Sequence, residues 1–364
     1  MSQSYKFSVN TSNGGYSVVI GDLLKASSFE QKRSVFLVDD KVASLHRDLL
    51  PENFISQKST EPEKSLGTVE KIVNELRNLG STRDTILVAI GGGIIQDLST
   101  FVASCYMRGI DWVYCPSTLL GMVDSCIGGK SSINAYNYKN IIGNFYPPKK
   151  IIIDASFCSS LDTTQKLDGI FEAAKISFAA SDKAFASYLK LVDDTGRFNN
   201  VDDLKDFIFH SLSHKKIFIE EDEFDRGARL NLNFGHTFGH AIEGASGYRI
   251  SHGVAVGLGM LAALDMSQQL NPAISLNPSI HNFKKHLIHL LRLVPDLATN
   301  LQFIDENVAV TCMESDKKHT ATKFKFILVS ESGTLRVHEL SKTKNVKTTI
   351  RGVFSRIRNL SNEI

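Results

Sequence analysis

The chain has 364 residues, 42% of them apolar and 22% charged, with a formal charge of +2. That is long enough for two domains with sizeable cores, and the near balance of charge argues against a nucleic-acid partner. The opening residues MSQSYKFSVNTSNGGY lack the apolar stretch of a signal peptide, and no apolar run approaches the roughly 20 residues of a membrane span. A cytoplasmic protein with no membrane partner is therefore expected. Five cysteines (Cys105, Cys115, Cys126, Cys158 and Cys312) without CxxC spacing suit a reducing compartment and give no thiolate metal site.

In chain order, Tyr16 to Ile20, Ser34 to Val38, Thr85 to Ile90, Trp112 to Cys115 and Lys150 to Ile153 read as strands. Their near-continuous apolar character predicts a parallel sheet covered on both faces. Residues 65–79 carry Leu66, Val69, Ile72, Val73 and Leu76 at helical spacing, the natural crossover between such strands. Asp39 ends a strand, where a carboxylate can meet ribose hydroxyls, and Glu61 and Lys64 sit in a polar loop. Gly91-Gly92-Gly93 follows a strand and precedes a helix through Asp97 to Ala103, so its amides can approach a pyrophosphate at a helix N-terminus. It is not the GxGxxG fingerprint, and a plain tight turn is the other account.

Pro116 to Asn140 (PSTLLGMVDSCIGGKSSINAYNYKN) lacks regular periodicity and holds Lys130, Lys139 and several asparagines, the donors a phosphate needs, while Asp124 could accept a hydrogen bond from a substrate or ribose hydroxyl. A functional loop is expected here, with a polar surface loop as the bland alternative. Beyond Asp154, strand signals thin out. Thr164 to Leu191, Val201 to Phe218, Val254 to Gln269 and Ile280 to Leu291 read as helices, with one late β-like run at Phe324 to Val329. The expected architecture is an α/β nucleotide-binding domain over residues 1–155 and a mainly α-helical domain over residues 156–364. On the first of those helices Glu172 and Lys175 lie one turn apart on an apolar face, as a metal ligand or an ion pair would.

The densest chemistry runs from Asp225 to His252 (DRGARLNLNFGHTFGHAIEGASGYRISH). His236 and His240 share a helical face at i, i+4, and Asn233 and Arg229 are expected to extend that face as one polar stripe. His252 stands where a second helix would start and could aim an imidazole back at the first. Two neutral imidazoles with a carboxylate make a zinc site with one open position. His286 and His289 read as surface residues without a role.

The runs GGGIIQDLSTFVASCYMRG, PSTLLGMVDSCIGGKSSIN, YKNIIGNFYPPKKIIID and LNFGHTFGHAIE together resemble the signature segments of 3-dehydroquinate synthase, in the same order and at matching separations. The resemblance implies an N-terminal α/β domain holding NAD and a C-terminal helical domain holding a divalent metal, zinc or cobalt. It implies Glu172, His236 and His252 as metal ligands, and Asp124, Lys130, Lys175, Lys215, Arg229, Asn233 and His240 as substrate contacts. Lys139 and Asn140 match a KN pair facing nucleotide and phosphate. Arg108 matches an arginine reaching a neighbouring subunit's phosphate site, which implies a homodimer. For NAD the matching positions are Glu61, Lys64, Gly92, Gly93, Asp97, Ser117, Thr118 and Ser160, with Asp39 a weaker match. One of Lys317 and Lys318 matches a late substrate lysine.

The implied reaction cyclises 3-deoxy-arabino-heptulosonate 7-phosphate to 3-dehydroquinate with loss of phosphate. Sibling sugar-phosphate cyclases acting on sedoheptulose 7-phosphate or an amino analogue are the alternative, as are metal-dependent alcohol dehydrogenases. The sequence departs from the family pattern at Asp225, where glutamate is usual, at Gln96, where a small glycine is usual, in IFEAAK (Ile170 to Lys175), and at Val254 in SHGVAV.

Overall fold

Short β-branched runs that are apolar on both sides can lower their free energy only inside a covered sheet, and these runs assemble that way. The computed structural model describes residues 4–12, 14–21, 33–136, 138–193, 195–316 and 319–362. Its strands are β1 (Tyr5–Val9), β2 (Tyr16–Ile20), β3 (Ser34–Asp39), β4 (Ile55–Gln57), β5 (Ile86–Gly91), β6 (Trp112–Pro116), β7 (Ile133–Ala135), β8 (Tyr138–Ile142), β9 (Lys150–Ile153), β10 (Lys323–Val329) and β11 (Leu335–Ser341). The helices are α1 (Asp40–Leu45), α2 (Leu66–Asn78), α3 (Gly93–Cys105), α4 (Thr163–Ala180), α5 (Asp182–Tyr188), α6 (Val201–Glu221), α7 (His236–Ala245), α8 (His252–Leu270), α9 (Pro278–Arg292), α10 (Leu297–Leu301), α11 (Glu306–Glu314) and α12 (Lys344–Asn359). The chain forms two compact units, Met1–Leu161 with Asn199–Phe224, and Asp162–Phe198 with Asp225–Ile364.

In the first unit the main sheet runs β1-β2-β9-β6-β5-β3-β4. Every pair is parallel except the edge pair β1 and β2, whose antiparallel register joins Tyr5 to Ile20 and Val9 to Tyr16. The central strands are buried along their length, with Leu87, Val88, Ala89, Tyr114 and Ile151 to Ile153 inside. Edge strand β1 alternates exposed Lys6 and Ser8 with less exposed neighbours, which is why its sequence gave no continuous apolar signal. Helix α2 starts where the Ser65 hydroxyl accepts the Thr68 N–H at 3.2 Å, and it buries Val69, Ile72 and Leu76. The stretch Pro116 to Asn140 has structure of its own, a π-helical turn at Gly121–Ser125 and the β7–β8 hairpin. Helix α6 also belongs to this unit, and its Ser211 hydroxyl donates to the Val123 carbonyl at 2.9 Å, fixing the π-turn.

In the second unit α8 is buried along most of its length and packs against α4, α7, α9 and α12. The helix expected over residues 164–191 is two helices. Ser181 ends α4 in an extended conformation, and its hydroxyl accepts the Ala184 N–H at 3.1 Å to start α5. Strand β10 is the expected late run, and it pairs antiparallel with β11, whose alternating polar residues hid it. Among the described residues no helix is long and apolar enough to cross a membrane.

Candidate active site

Three helices of the second unit bring one carboxylate and two imidazoles together. Glu172 comes from the middle of α4, His236 from the first residue of α7 and His252 from the first residue of α8. One ligand atom from each lies within 4.8 Å of the others. The His236 Nε2 is 3.8 Å from Glu172 Oε1, and the His252 Nε2 is 3.5 Å from the same oxygen. Glu172 is 1% exposed, and that Oε1 has no hydrogen-bond partner among the described residues, while its other oxygen accepts the Lys175 ammonium one turn along α4. A buried anionic oxygen without a donor is costly unless a cation faces it. A divalent ion met by one oxygen and two imidazole nitrogens supplies that cation, so the residues present fit the metal. His252 is 38% exposed, so the cluster opens toward solvent on that side and leaves room for a further ligand. Burial opposes charge on His252, yet the Glu172 and Glu243 carboxylates outweigh it and push its pKa up to about 10, the mark of a pocket that attracts positive charge.

Two acidic residues that the sequence reading did not single out hold His252. Asp168, one turn before Glu172 on α4, accepts the Ser251 hydroxyl at 2.6 Å and the Val254 N–H at 3.0 Å, docking the first turn of α8. Burial raises the Asp168 carboxyl above its ordinary value, against the pull of those hydrogen bonds. Glu243, on α7, lies 3.2 Å from His252 Nδ1 through its Oε2. The signals available were only an aspartate and a glutamate spaced at helical intervals from the ligands.

The single polar stripe expected through Arg229, Asn233, His236 and His240 is corrected. Arg229 and Asn233 lie in a separate 3-10 turn, Ala228–Asn233, and only His236 and His240 share α7. The break is at Gly235, with φ 78°, where a Cβ would stand 2.8 Å from the Val256 carbonyl oxygen and the Met260 nitrogen of α8. Close passage of α8 forces a glycine there and stops the helix. Arg229 is nonetheless buried, 3% exposed, and Asn233 donates to the Leu230 carbonyl at 3.2 Å. His240 directs Nδ1 at Asp316, 3.4 Å away, and its ring centroid is 5.5 Å from that of His236. Asp225 sits half-buried with φ 58°, and Lys317 and Lys318 lie outside the described residues. His286, expected on the surface, is half-buried and hydrogen-bonds the Tyr188 hydroxyl at 3.0 Å.

In the first unit, neighbouring parallel strands β3, β5 and β6 end at Asp39, Gly91 and Pro116, so Asp39, Gly92, Gly93, Ser117 and Thr118 line up at their carboxyl ends. That edge is where open α/β sheets take ligands. Gly92 caps α3, and a Cβ on Gly93 would meet nothing within 4 Å, which leaves the helix N-terminus accessible. Asp39 is occupied in part as the cap of α1, accepting the Lys41 N–H at 2.9 Å. Beside this row, Lys64 Nζ reaches Asp97 Oδ2 at 2.9 Å, Ser132 Oγ at 3.2 Å and the side-chain amide oxygen Oδ1 of Asn140. Asn134 ties the same group to Glu61 at 2.8 Å and to the Asn140 N–H at 2.9 Å, and Lys139 stands 3.7 Å from Glu61. Burial raises the Asp97 carboxyl, a shift that the Lys64 ammonium opposes. Asn140 holds φ 55° inside a strand, a strained conformation of the kind that collects at functional sites.

Lys215 is almost fully buried and pairs with Asp124 at 2.6 Å, also donating to the Asp124 carbonyl and to Ile127 at 3.2 Å. Gln96 and Ser125 clasp the same π-turn through two reciprocal 2.6 Å hydrogen bonds. Lys130 and Arg108 are exposed, the latter with φ 67°. Ser160 is set apart from the Lys64 network, bonded instead to His46 and the Phe157 carbonyl, each at 3.0 Å.

Family models described as 3-dehydroquinate synthase N-terminal and 3-dehydroquinate synthase C-terminal match residues 54–168 and 169–319. The chain belongs to the 3-dehydroquinate synthase family. The 3-dehydroquinate synthase of Natranaerobius thermophilus is 33% identical over 330 residues, spanning 87% of this chain and 88% of that protein. Among solved structures, 2-deoxy-scyllo-inosose synthase complexed with carbaglucose-6-phosphate, NAD+ and Co2+ superposes with TM-score 0.79 at 22% identity, over 96% of this chain and 100% of that one. The 2-epi-5-epi-valiolone synthase of Streptomyces hygroscopicus with NAD+ and Zn2+ bound gives 0.77 at 21% identity, over 94% and 97%. These likenesses show a shared fold, and membership in the 3-dehydroquinate synthase family makes the chain an enzyme, a carbon–oxygen lyase that eliminates phosphate.

Proposed function

We propose that the chain converts 3-deoxy-arabino-heptulosonate 7-phosphate to 3-dehydroquinate, using NAD and a divalent metal, zinc or cobalt. The observation that carries the reading is the donorless Glu172 oxygen facing two imidazole nitrogens in a chain whose curated relatives bear that enzyme's name. NAD held in the first unit would supply reversible hydride acceptance, and a metal held by Glu172, His236 and His252 would supply polarisation of a hydroxyl.

The chain's own residues supply the rest. Lys175 neutralises one Glu172 oxygen and leaves the other as the ligand. Arg229, buried in the second unit, is of the side-chain type that grips a carboxylate by two parallel hydrogen bonds, which favours a substrate bearing a carboxylate over sugar phosphates that lack one. Asn233 and His240 supply an amide and an imidazole for phosphate oxygens. In the first unit the Gly92–Gly93 helix start takes the dinucleotide's pyrophosphate, and Glu61, Lys64, Asp97 and Lys139 frame its sugars. Asp124 and Lys215 form a preset acid–base pair, and Lys130 and Asn140 are of the donor types a phosphate needs. Exposed Arg108 is read as serving a second copy in a cytoplasmic homodimer.

Protein incubated with NAD, Zn2+ and the seven-carbon keto-acid phosphate is expected to release inorganic phosphate and form 3-dehydroquinate with no net NADH. Phosphate release from sedoheptulose 7-phosphate alone would move the chain to a sibling specificity, and net NADH without phosphate would make it a dehydrogenase. Chelator treatment should abolish turnover, and added Zn2+ or Co2+ should restore it; turnover that survives removal of all metal refutes the metal role.

A further inference from the structure

We propose that Glu243 is the positioning residue of the metal centre, fixing His252 so that its Nε2 lone pair faces the Glu172 carboxylate. The inference rests on reading Glu172, His236 and His252 as metal ligands. A neutral imidazole carries one N–H and one lone pair, so a ring that ligates through Nε2 must hold its proton on Nδ1. The His252 Nδ1 lies 3.2 Å from Glu243 Oε2, and its Nε2 lies 3.5 Å from Glu172 Oε1. One carboxylate therefore accepts a hydrogen bond from Nδ1–H while the other shares the metal side of the same ring.

His236 is oriented in the same sense by a weaker partner. Its Nδ1 is 3.3 Å from the Phe234 carbonyl, and its Nε2 faces Glu172. The two rings differ in exposure, 14% for His236 against 38% for His252, so the ring with less packing around it has the charged acceptor. A carboxylate also makes the imidazole a more basic ligand than a carbonyl does. Glu243 stands seven residues after His236 on α7, two turns along the same face, so one short helix supplies both a ligand and the group that aims another.

His240, Glu243 and His252 also lie close enough to suggest a second cation. That reading would need a lone pair on His252 Nδ1, which the ring cannot offer while it ligates through Nε2 as a neutral imidazole. A single ion with a hydrogen-bonded carboxylate behind it uses each nitrogen of His252 once.

The experiment measures Zn2+ affinity of the full chain by chelator competition, the number of ions bound, and the visible absorption of the Co2+-loaded protein. Glu243→Gln keeps an acceptor oxygen but removes the charge, and Glu243→Ala removes both. The Zn2+ dissociation constant is expected to rise roughly 10-fold in the first and roughly 100-fold in the second. Co2+ bands should shift in both variants, with one ion per chain throughout. Wild-type affinity and an unchanged Co2+ spectrum in Glu243→Gln, whatever the melting temperature does, would overturn the proposal. So would two ions in the wild type and one in the variant. A wild-type chain that takes up neither metal would sink the metal reading itself, a result distinct from either.

Discussion

Glu172→Gln is expected to abolish stoichiometric metal binding and, with it, turnover. Glutamine has the same shape, but its neutral oxygen gives a cation far less than a carboxylate does. The loss should exceed the roughly 100-fold that a partner behind a ligand can account for. The same change removes an anionic partner of Lys175, itself 1% exposed. Breaking a buried ion pair from one side costs about 3–5 kcal/mol, because the remaining charge stays desolvated. Stability and metal binding are separable in a double variant. Adding Lys175→Met to Glu172→Gln should recover part of the stability, since it removes the buried ammonium that had lost its carboxylate, while metal binding stays lost. Metal content after gel filtration and urea unfolding midpoints check both halves. Stoichiometric zinc in Glu172→Gln would remove this residue from the ligand set.

The residue types that cluster at Glu172, His236 and His252 were legible in the sequence: two histidines in a glycine-containing stretch and a glutamate on an apolar helix face stand out by type. The strands were legible for a comparable reason, since Lys150–Ile153 or Ile86–Gly91 has no stable place except between covering layers. Hidden features depended on tertiary contact. Nothing local to residues 229–240 says that α8 passes so close that Gly235 must turn left-handed, so the expected continuous stripe broke there. Asp168 reads as an ordinary helix aspartate until α8 begins beside it, and Glu243 reads as the polar end of a helix until the His252 ring is placed. Strand β11 escaped because a hairpin with one solvated face needs no continuous apolar run. The clustered residues could be found by type, whereas the carboxylates that contact them could be found only by position.

Gly253→Ala is expected to cost both stability and metal. In an exposed helix such a change would stabilise by about 1 kcal/mol through propensity alone. Here a Cβ would fall under 3.0 Å from three main-chain atoms of Asp168, and backbone cannot swing aside as a flexible side chain can. The first turn of α8 must lift away from α4, which lengthens the hydrogen bonds from Ser251 and Val254 to the Asp168 carboxylate. Overpacking of this kind costs about 1–3 kcal/mol and sometimes more, so it overrides the propensity gain. The consequence for the site is larger than the consequence for the fold. His252 precedes the substituted residue and Glu172 lies one turn beyond Asp168, so the displacement separates two of the proposed metal ligands. Metal affinity should therefore fall by more than 10-fold even where the fold survives. Gly247→Ala provides the contrast. At φ 61° it carries backbone strain of about 1–2 kcal/mol, yet a Cβ there meets nothing within 4 Å, and zinc should stay bound. Urea unfolding combined with a chelator titration reads both quantities for both variants. If Gly253→Ala held zinc as tightly as Gly247→Ala, the docking of α8 against Asp168 would not be what places His252.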